Sequence, residues 1–309
     1  MTEATPSDSQ GPALLSPGVL IPFAIITLIW GSTWLVIRDQ VSDVPPSWSV
    51  AYRFLLASAG MAILARVRHL PLWIGGRGLA FAAGIGATQF MLNFNFVYRA
   101  EIVLTSGVVA IFYALLLIPN SLMAWIAFRQ PVSRNFVLGS LVAVIGVALL
   151  FLREYRYADV APGAVLTGIG LSLCGLAAAS VSNVMQASPI ARRLPIISVL
   201  AWAMLLGGLM DMALAWALSG PPVIDTRPGY LAGVAYLAIA GSVCTFPLYF
   251  RLIQQIGAGR AAYINVLVPV IAMLLSTLFE NYRWSTLAVT GALLSIAGMV
   301  IAMRAKPSR

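Results

Sequence analysis

Long apolar runs separated by short polar breaks repeat along the whole chain. A run of about 18 or more mostly apolar residues, coiled as a helix, matches the roughly 30 Å hydrocarbon core of a bilayer. Such runs predict spanning helices at 18–37, 47–65, 79–98, 104–128 and 135–152, then 163–187, 196–219, 229–250, 261–279 and 285–303. The breaks carry charges or turn formers, among them Pro45-Pro46, Gly75-Gly76 and Pro221-Pro222, and leave no room for a soluble domain. A β-barrel would instead show alternating segments of about ten residues. The expected fold class is therefore an all-α integral membrane protein with ten transmembrane helices. Residues 1–17, rich in Ser, Pro, Gln and Gly, read as a disordered tail. The tail holds no Lys or Arg, so it lacks the basic region of a secretory signal peptide.

Composition narrows the class further. The chain is 60% hydrophobic and 9% charged, against about a quarter charged in soluble domains. Its net charge of +9 is spread singly or in pairs between apolar runs rather than gathered into a stripe, which argues against a nucleic-acid partner. With the N-terminus inside, twelve Lys and Arg fall on the inner side and six on the outer side. That excess predicts cytoplasmic N- and C-termini in a cell inner (plasma) membrane. Trp48, Trp73, Trp125 and Trp284 fall near span ends, as an interfacial aromatic belt predicts. Cys174 and Cys244 lie inside apolar runs, and the single His69 sits among Arg66, Arg68 and Arg77 in a polar connection. None forms a metal-ligand or catalytic set, so no metal, cofactor or enzymatic role is expected.

The chain also resembles itself. Gly139-Ser-Leu-Val-Ala-Val-Ile-Gly146 matches Gly291-Ala-Leu-Leu-Ser-Ile-Ala-Gly298 at an offset of 152 residues. Pro119 precedes Gln130 by eleven residues and Pro269 precedes Glu280 by the same eleven. Two halves of five spans, 18–152 and 163–303, would have opposite orientations in the membrane. Inverted repeats of this kind are a recurrent basis for alternating access.

Trp30-Gly31-Ser32-Thr33-Trp34, then Val44-Pro45-Pro46 and Tyr52-Arg53-Phe54-Leu55-Leu56-Ala57, then Pro269 through Glu280 to Gly298, together resemble the EamA family of the drug/metabolite transporter superfamily. The resemblance runs over 18–303. It implies ten helices in two inverted five-helix repeats and a central cavity lined by spans 1, 3, 4, 6, 8 and 9. It also implies export of amino acids or other small metabolites. Where the family often has an acid after the fourth span, this chain has Gln130.

Polar side chains in hydrocarbon are costly unless paired or facing water, so they mark candidate sites. Gln89 and Asn93 share a face of the third span, and Tyr113 and Asn120 share one on the fourth. Asn183 lies on the sixth span, Thr245 and Tyr249 on the eighth, and Asn265 on the ninth. With Trp34 they form the expected substrate cavity; interhelical hydrogen bonding is the alternative role. Arg53 and Asp211 are the two charges within the predicted spans and are expected to gate or couple transport as a pair, joined directly or through water. Pro119 and Pro269 are expected to mark kinks. The first span lacks a carboxylate, against a multidrug proton antiporter, and Arg53 is the single cation within the spans, against a phosphate carrier. An amino acid or amino-acid-like solute fits best; a hydrophobic or drug-like substrate, or a non-transporting scaffold, is the alternative. The expected partners are the solute and the lipid bilayer.

Overall fold

The computed structural model describes residues 17–41, 43–129, 134–157, 161–256 and 264–303. The N-terminal tail, Gln130 and most of the connection before residue 264 lie outside these. Helix α1 is Pro17–Gln40, α2 Pro46–Val67 and α3 Gly75–Ile85, which continues through a π-helical segment, π1 (Gly86–Asn93), into α4 (Phe94–Ala100). Then come α5 (Ser106–Ala114), α6 (Leu117–Phe128), α7 (Arg134–Tyr157), α8 (Pro162–Ala187), the short α9 (Pro189–Arg193) and α10 (Ile196–Ser219). A second π segment, π2 (Ile239–Cys244), joins α11 (Pro228–Ala238) to α12 (Thr245–Ile256); α13 is Ile264–Phe279 and α14 Thr286–Met303. Among the described residues there is no strand. This is an all-α membrane protein. Among the described residues, six helical runs are long and apolar enough to cross a bilayer: Pro17–Gln40, Pro46–Val67, Ser106–Ala127, Gly163–Ala187, Ile196–Ser219 and Pro228–Leu252. Shorter apolar helices are Arg134–Leu150, Leu267–Phe279 and Thr286–Ala302. The run Gly75–Ala100 falls outside both sets because Gln89, Asn93 and Asn95 dilute its apolar character.

Two proline effects differ. Pro119 has no N–H for the Leu115 carbonyl, and its ring crowds that oxygen. The helix breaks there, with tight bonds from Leu115 N–H to Phe112 O (2.9 Å) and Ile118 N–H to Leu115 O (2.9 Å) separating α5 from α6. Pro269, by contrast, lies inside the unbroken α13. Its cost is local: the Asn265 carbonyl loses its helical donor.

The duplicated glycine motif packs against its own copy. A Cβ on Gly139 would sit 2.5 Å from the Gly298 carbonyl, and one on Gly298 would sit 2.5 Å from the Gly139 carbonyl. Gly146 and Gly291 repeat this reciprocity at 2.6 Å. Helices α7 and α14 thus cross antiparallel, backbone on backbone, with small residues every second turn admitting the close approach. Gly207 and Gly208 admit close packing as well. A Cβ on Gly207 would meet Gly86 O at 2.9 Å, and one on Gly208 would meet the Leu55 side chain at 3.0 Å.

One expectation about the membrane belt is corrected. Trp48 is 1% exposed, stacked on Tyr52 and enclosed by Val44, Ala51, Ala215 and Tyr230. It sits on the inner face of α2, where α10 and α11 cover it, so it meets no lipid headgroup. Trp73, Trp125 and Trp284 remain exposed. His69 is exposed at a left-handed turn (φ 52°) after α2, and Cys174 and Cys244 are free thiols.

Candidate functional site

The helices surround a cavity with about 870 Å³ of atom-free space, its open mouth included. Trp30, Thr33, Trp34 and Ile37 enter from α1, and Gln89 and Asn93 from π1. Ala110, Tyr113 and Ala114 come from α5, Ala179 and Asn183 from α8, and Phe246, Tyr249 and Phe250 from α12. Asn265, Val268 and Pro269 come from α13. Seven of the nine residues expected at a cavity line it directly: Trp34, Gln89, Asn93, Tyr113, Asn183, Tyr249 and Asn265. The other two stand immediately behind the wall. Asn120 accepts a hydrogen bond from Asn183 Nδ2 (3.3 Å), and Thr245 Oγ1 accepts one from Trp30 Nε1 (2.9 Å).

Local structure explains how these side chains reach the cavity. Both π segments carry a glycine pressed against a neighbouring helix: a Cβ on Gly86 would lie 2.7 Å from Ala203 O, and one on Gly241 would lie 3.0 Å from Thr33 Cγ2. The added residue per turn in a π-bulge re-aims the following side chains, a device often found at functional sites. In π1 it presents Gln89 and Asn93 to the cavity. In π2 it places the Ser242 hydroxyl, which donates to Leu237 O (2.9 Å), beside Arg53. The Tyr113 hydroxyl donates to Asn93 Oδ1 (2.6 Å) and tethers α5 to π1. Tyr113 needs Gly175 opposite its hydroxyl, because any side chain there would overlap it.

Four rings that were not among the expected residues, Trp30, Phe94, Phe246 and Phe250, also line the cavity. Trp30 packs on Tyr249 (4.9 Å between ring centres) and Phe246 (5.6 Å), and Trp34 on Tyr113 (5.2 Å). Phe94 and Phe250 complete the set. Their only sequence signal was residence on cavity helices, which apolar lipid-facing residues share.

The two buried charges do not pair. Asp211, 0% exposed, accepts from Asn95 Nδ2 (2.5 Å), and Asn95 Oδ1 in turn accepts from Ser47 Oγ (2.5 Å). Arg99 reaches the same Ser47 Oγ at 3.1 Å. Arg53, 2% exposed, donates from Nε to Ser242 Oγ (3.4 Å) and lies on the Phe94 and Phe54 rings. Arg53 lines the cavity and Asp211 does not. A direct ion pair, one of the two expected forms of this pairing, is therefore not formed: Asn95 on α4 supplies Asp211 with a partner that linear spacing did not reveal.

A third buried charge was missed. Glu101, between α4 and α5, is 0% exposed and neither carboxylate oxygen has a hydrogen-bond partner. Burial pushes its carboxyl well above the usual range, with Glu280 adding to the rise and Arg38 and Arg53 opposing it. Its apolar flanks, Ala100 and Ile102-Val103-Leu104, were the available signal. Close by, Glu280 accepts from Ser106 Oγ (2.6 Å) and from Ser106 N–H (3.4 Å), and lies 3.9 Å from Arg38 Nε. This set clasps the ends of α1 and α13 to the start of α5. At the same end Arg227 contacts Asp43 (3.0 Å), Asp39 (3.9 Å) and Asp225 (2.5 Å).

A helical membrane body with a partly polar central cavity and a clasped end defines the class of a transport protein. The EamA-like transporter family model matches residues 18–152 and 166–304, and the chain belongs to that family. Protein PagO of Salmonella typhimurium is 23% identical over 270 residues, covering 87% of each chain. A probable amino-acid metabolite efflux pump of the same organism is 21% identical, covering 90% of this chain and 92% of the pump. A crystal structure 20% identical in sequence superposes with a TM-score of 0.67, covering 91% of this chain and 95% of that one, and so shares the fold.

Proposed function

We propose that the protein is a secondary transporter that exports an amino acid or amino-acid-like solute by alternating access. The observation that carries this reading is the cavity wall: four amides, Gln89, Asn93, Asn183 and Asn265, set among seven aromatic rings. Amides hydrogen-bond ammonium and carboxylate groups without fixing one charge, and the rings accept an apolar side chain. We take the chain to cross the inner membrane ten times with both termini in the cytoplasm, the halves 18–152 and 163–303 being inverted repeats. In that orientation the Arg38–Glu280–Ser106 clasp closes the outer end, and export requires it to open. The named efflux pump among the relatives supports the solute class.

The aromatic wall also favours a second reading, export of a hydrophobic or drug-like compound. Among the described lining residues there is no carboxylate, which weighs against lipophilic cations. Reconstitution into proteoliposomes tests both readings. Counterflow of labelled L-phenylalanine, L-leucine or L-threonine that is lost in Asn93→Leu, with insertion intact, supports the amino-acid reading. Flux of ethidium but of no amino acid would replace it with the second. No flux of any solute would leave a scaffold.

A further inference from the structure

Arg53 holds unused hydrogen-bond donors where unused donors are costly. At 2% exposure its guanidinium does not reach an aqueous surface, so snorkelling does not explain it. Of the five donors in the guanidinium fork, Nε is engaged by Ser242 Oγ at 3.4 Å, a long bond, and Nη1 has no hydrogen-bond partner. The rings of Phe94 (4.4 Å to the centroid) and Phe54 (5.0 Å) face the cation and hold its plane. Such contacts stabilise a desolvated cation by about 2 kcal/mol, well short of the cost of burying a full charge.

The acids nearby leave that charge uncompensated. Among the described residues no carboxylate comes within 4.0 Å of Arg53. Asp211 bonds Asn95 through Oδ1, and its Oδ2 reaches no donor, Arg53 included. Glu101 is within electrostatic reach, yet its oxygens bond to nothing, Arg53 included. What Arg53 does face is the cavity, alongside Trp34, Asn93 and Phe94. Gly241, another lining residue, lies beside it, with Nη2 3.6 Å from the point where a Cβ on that glycine would stand.

We propose that Arg53 is the anchor that receives the carboxylate of the transported solute. The inference rests on the amino-acid reading above and adds to it the group recognised. A guanidinium fork matches a carboxylate with two parallel N–H···O bonds, and the incoming anion supplies the charge that the protein withholds. The aromatic rings then take the rest of the solute. Solutes lacking a free carboxylate leave Arg53 unsatisfied and are rejected.

The test uses purified full-length protein and four probes: L-phenylalanine, L-phenylalaninamide, phenethylamine and 3-phenylpropionate. Binding is read by thermal shift and by inhibition of labelled L-phenylalanine counterflow. The wild type should bind L-phenylalanine about ten- to a hundredfold more tightly than its amide or the amine. Arg53→Lys should keep part of that preference and Arg53→Gln should abolish it. If Arg53→Gln does not fold, the wild-type acid-to-amide ratio and Arg53→Lys decide. Binding of 3-phenylpropionate as tight as that of L-phenylalanine would support the anchor and move the solute class to monocarboxylates. Equal affinity for acid and amide in the wild type would overturn the anchor while leaving amino-acid export standing. Binding of none of the four would overturn both.

Discussion

Replacing Gly298 by Ala tests the α7–α14 crossing at its tightest point. The new Cβ would stand 2.5 Å from the Gly139 carbonyl oxygen, whereas ordinary contact begins at 3.4 Å. The obstacle is backbone, so no rotamer change relieves it, and the helices must part by about 1 Å at that point. Overpacking of this kind costs about 1–3 kcal/mol. Gly146→Ala meets the Gly291 carbonyl at 2.6 Å and should cost a similar amount. Because the two contacts lie along one antiparallel crossing, a single separation accommodates both methyl groups. The double variant should therefore be less destabilised than the sum, with a coupling of about 0.5 kcal/mol or more. Unfolding titrated with SDS in mixed micelles measures all three free energies. Wild-type stability of either single variant, or full additivity, would refute the reciprocal crossing.

Three further outcomes follow from the charged groups. Burial, with Glu280 adding to it and Arg38 and Arg53 opposing it, raises the Glu101 carboxyl well above the ordinary carboxylate range in this conformation, and hydration on unfolding returns it to that range. Its raised pKa means stability is full below that ordinary value and falls as pH rises above it, by about 1.4 kcal/mol per pH unit up to the raised pKa. Glu101→Gln should flatten the dependence of the melting midpoint above the ordinary carboxylate pKa and raise the midpoint at the alkaline end of the range; parallel curves would discard this. Arg53→Gln and Asp211→Asn, having separate partners, should combine within about 0.5 kcal/mol of additivity in stability, and a larger coupling in SDS titrations would restore the pair. Since Arg227 joins Asp43 to Asp225, Cys probes at those two positions should label from one side of the membrane and a probe at Arg193 from the other. Labelling of Asp43 and Asp225 from opposite sides would break the topology.

Much of the fold was legible because a bilayer imposes a one-dimensional rule: apolar length decides where a helix lies. The boundaries of α2, α8 and α10 follow the apolar runs to within a few residues for that reason. Gln89, Asn93, Tyr113 and Asn183 were also legible, since an amide or hydroxyl in an otherwise apolar helix has few places to go except a shared interior. Rings carry no such mark. Phe246 and Phe250 line the cavity while Phe279, on α13, stays exposed, and nothing in their chemistry separates them.

What the sequence by itself determined is the membrane class, the approximate helix limits, the duplicated glycine motif and most of the polar cavity wall. Each is a property of local composition or of spacing along one helix. Only the tertiary structure decided the rest. It set the π segments that re-aim Gln89, Asn93 and Ser242, the burial of Trp48 and Glu101, and the choice of Asn95 over Arg53 as the partner of Asp211. Those outcomes depend on which helix arrives opposite which, and hydrogen bonds and ion pairs act over a few ångströms. A charge two turns from another in sequence, or far along the chain, is matched only when packing brings a donor to it. Asn95 reached Asp211 because α4 packs alongside α2 and its amide spans Ser47 and Asp211; Arg53, turned toward the cavity, meets Ser242 instead.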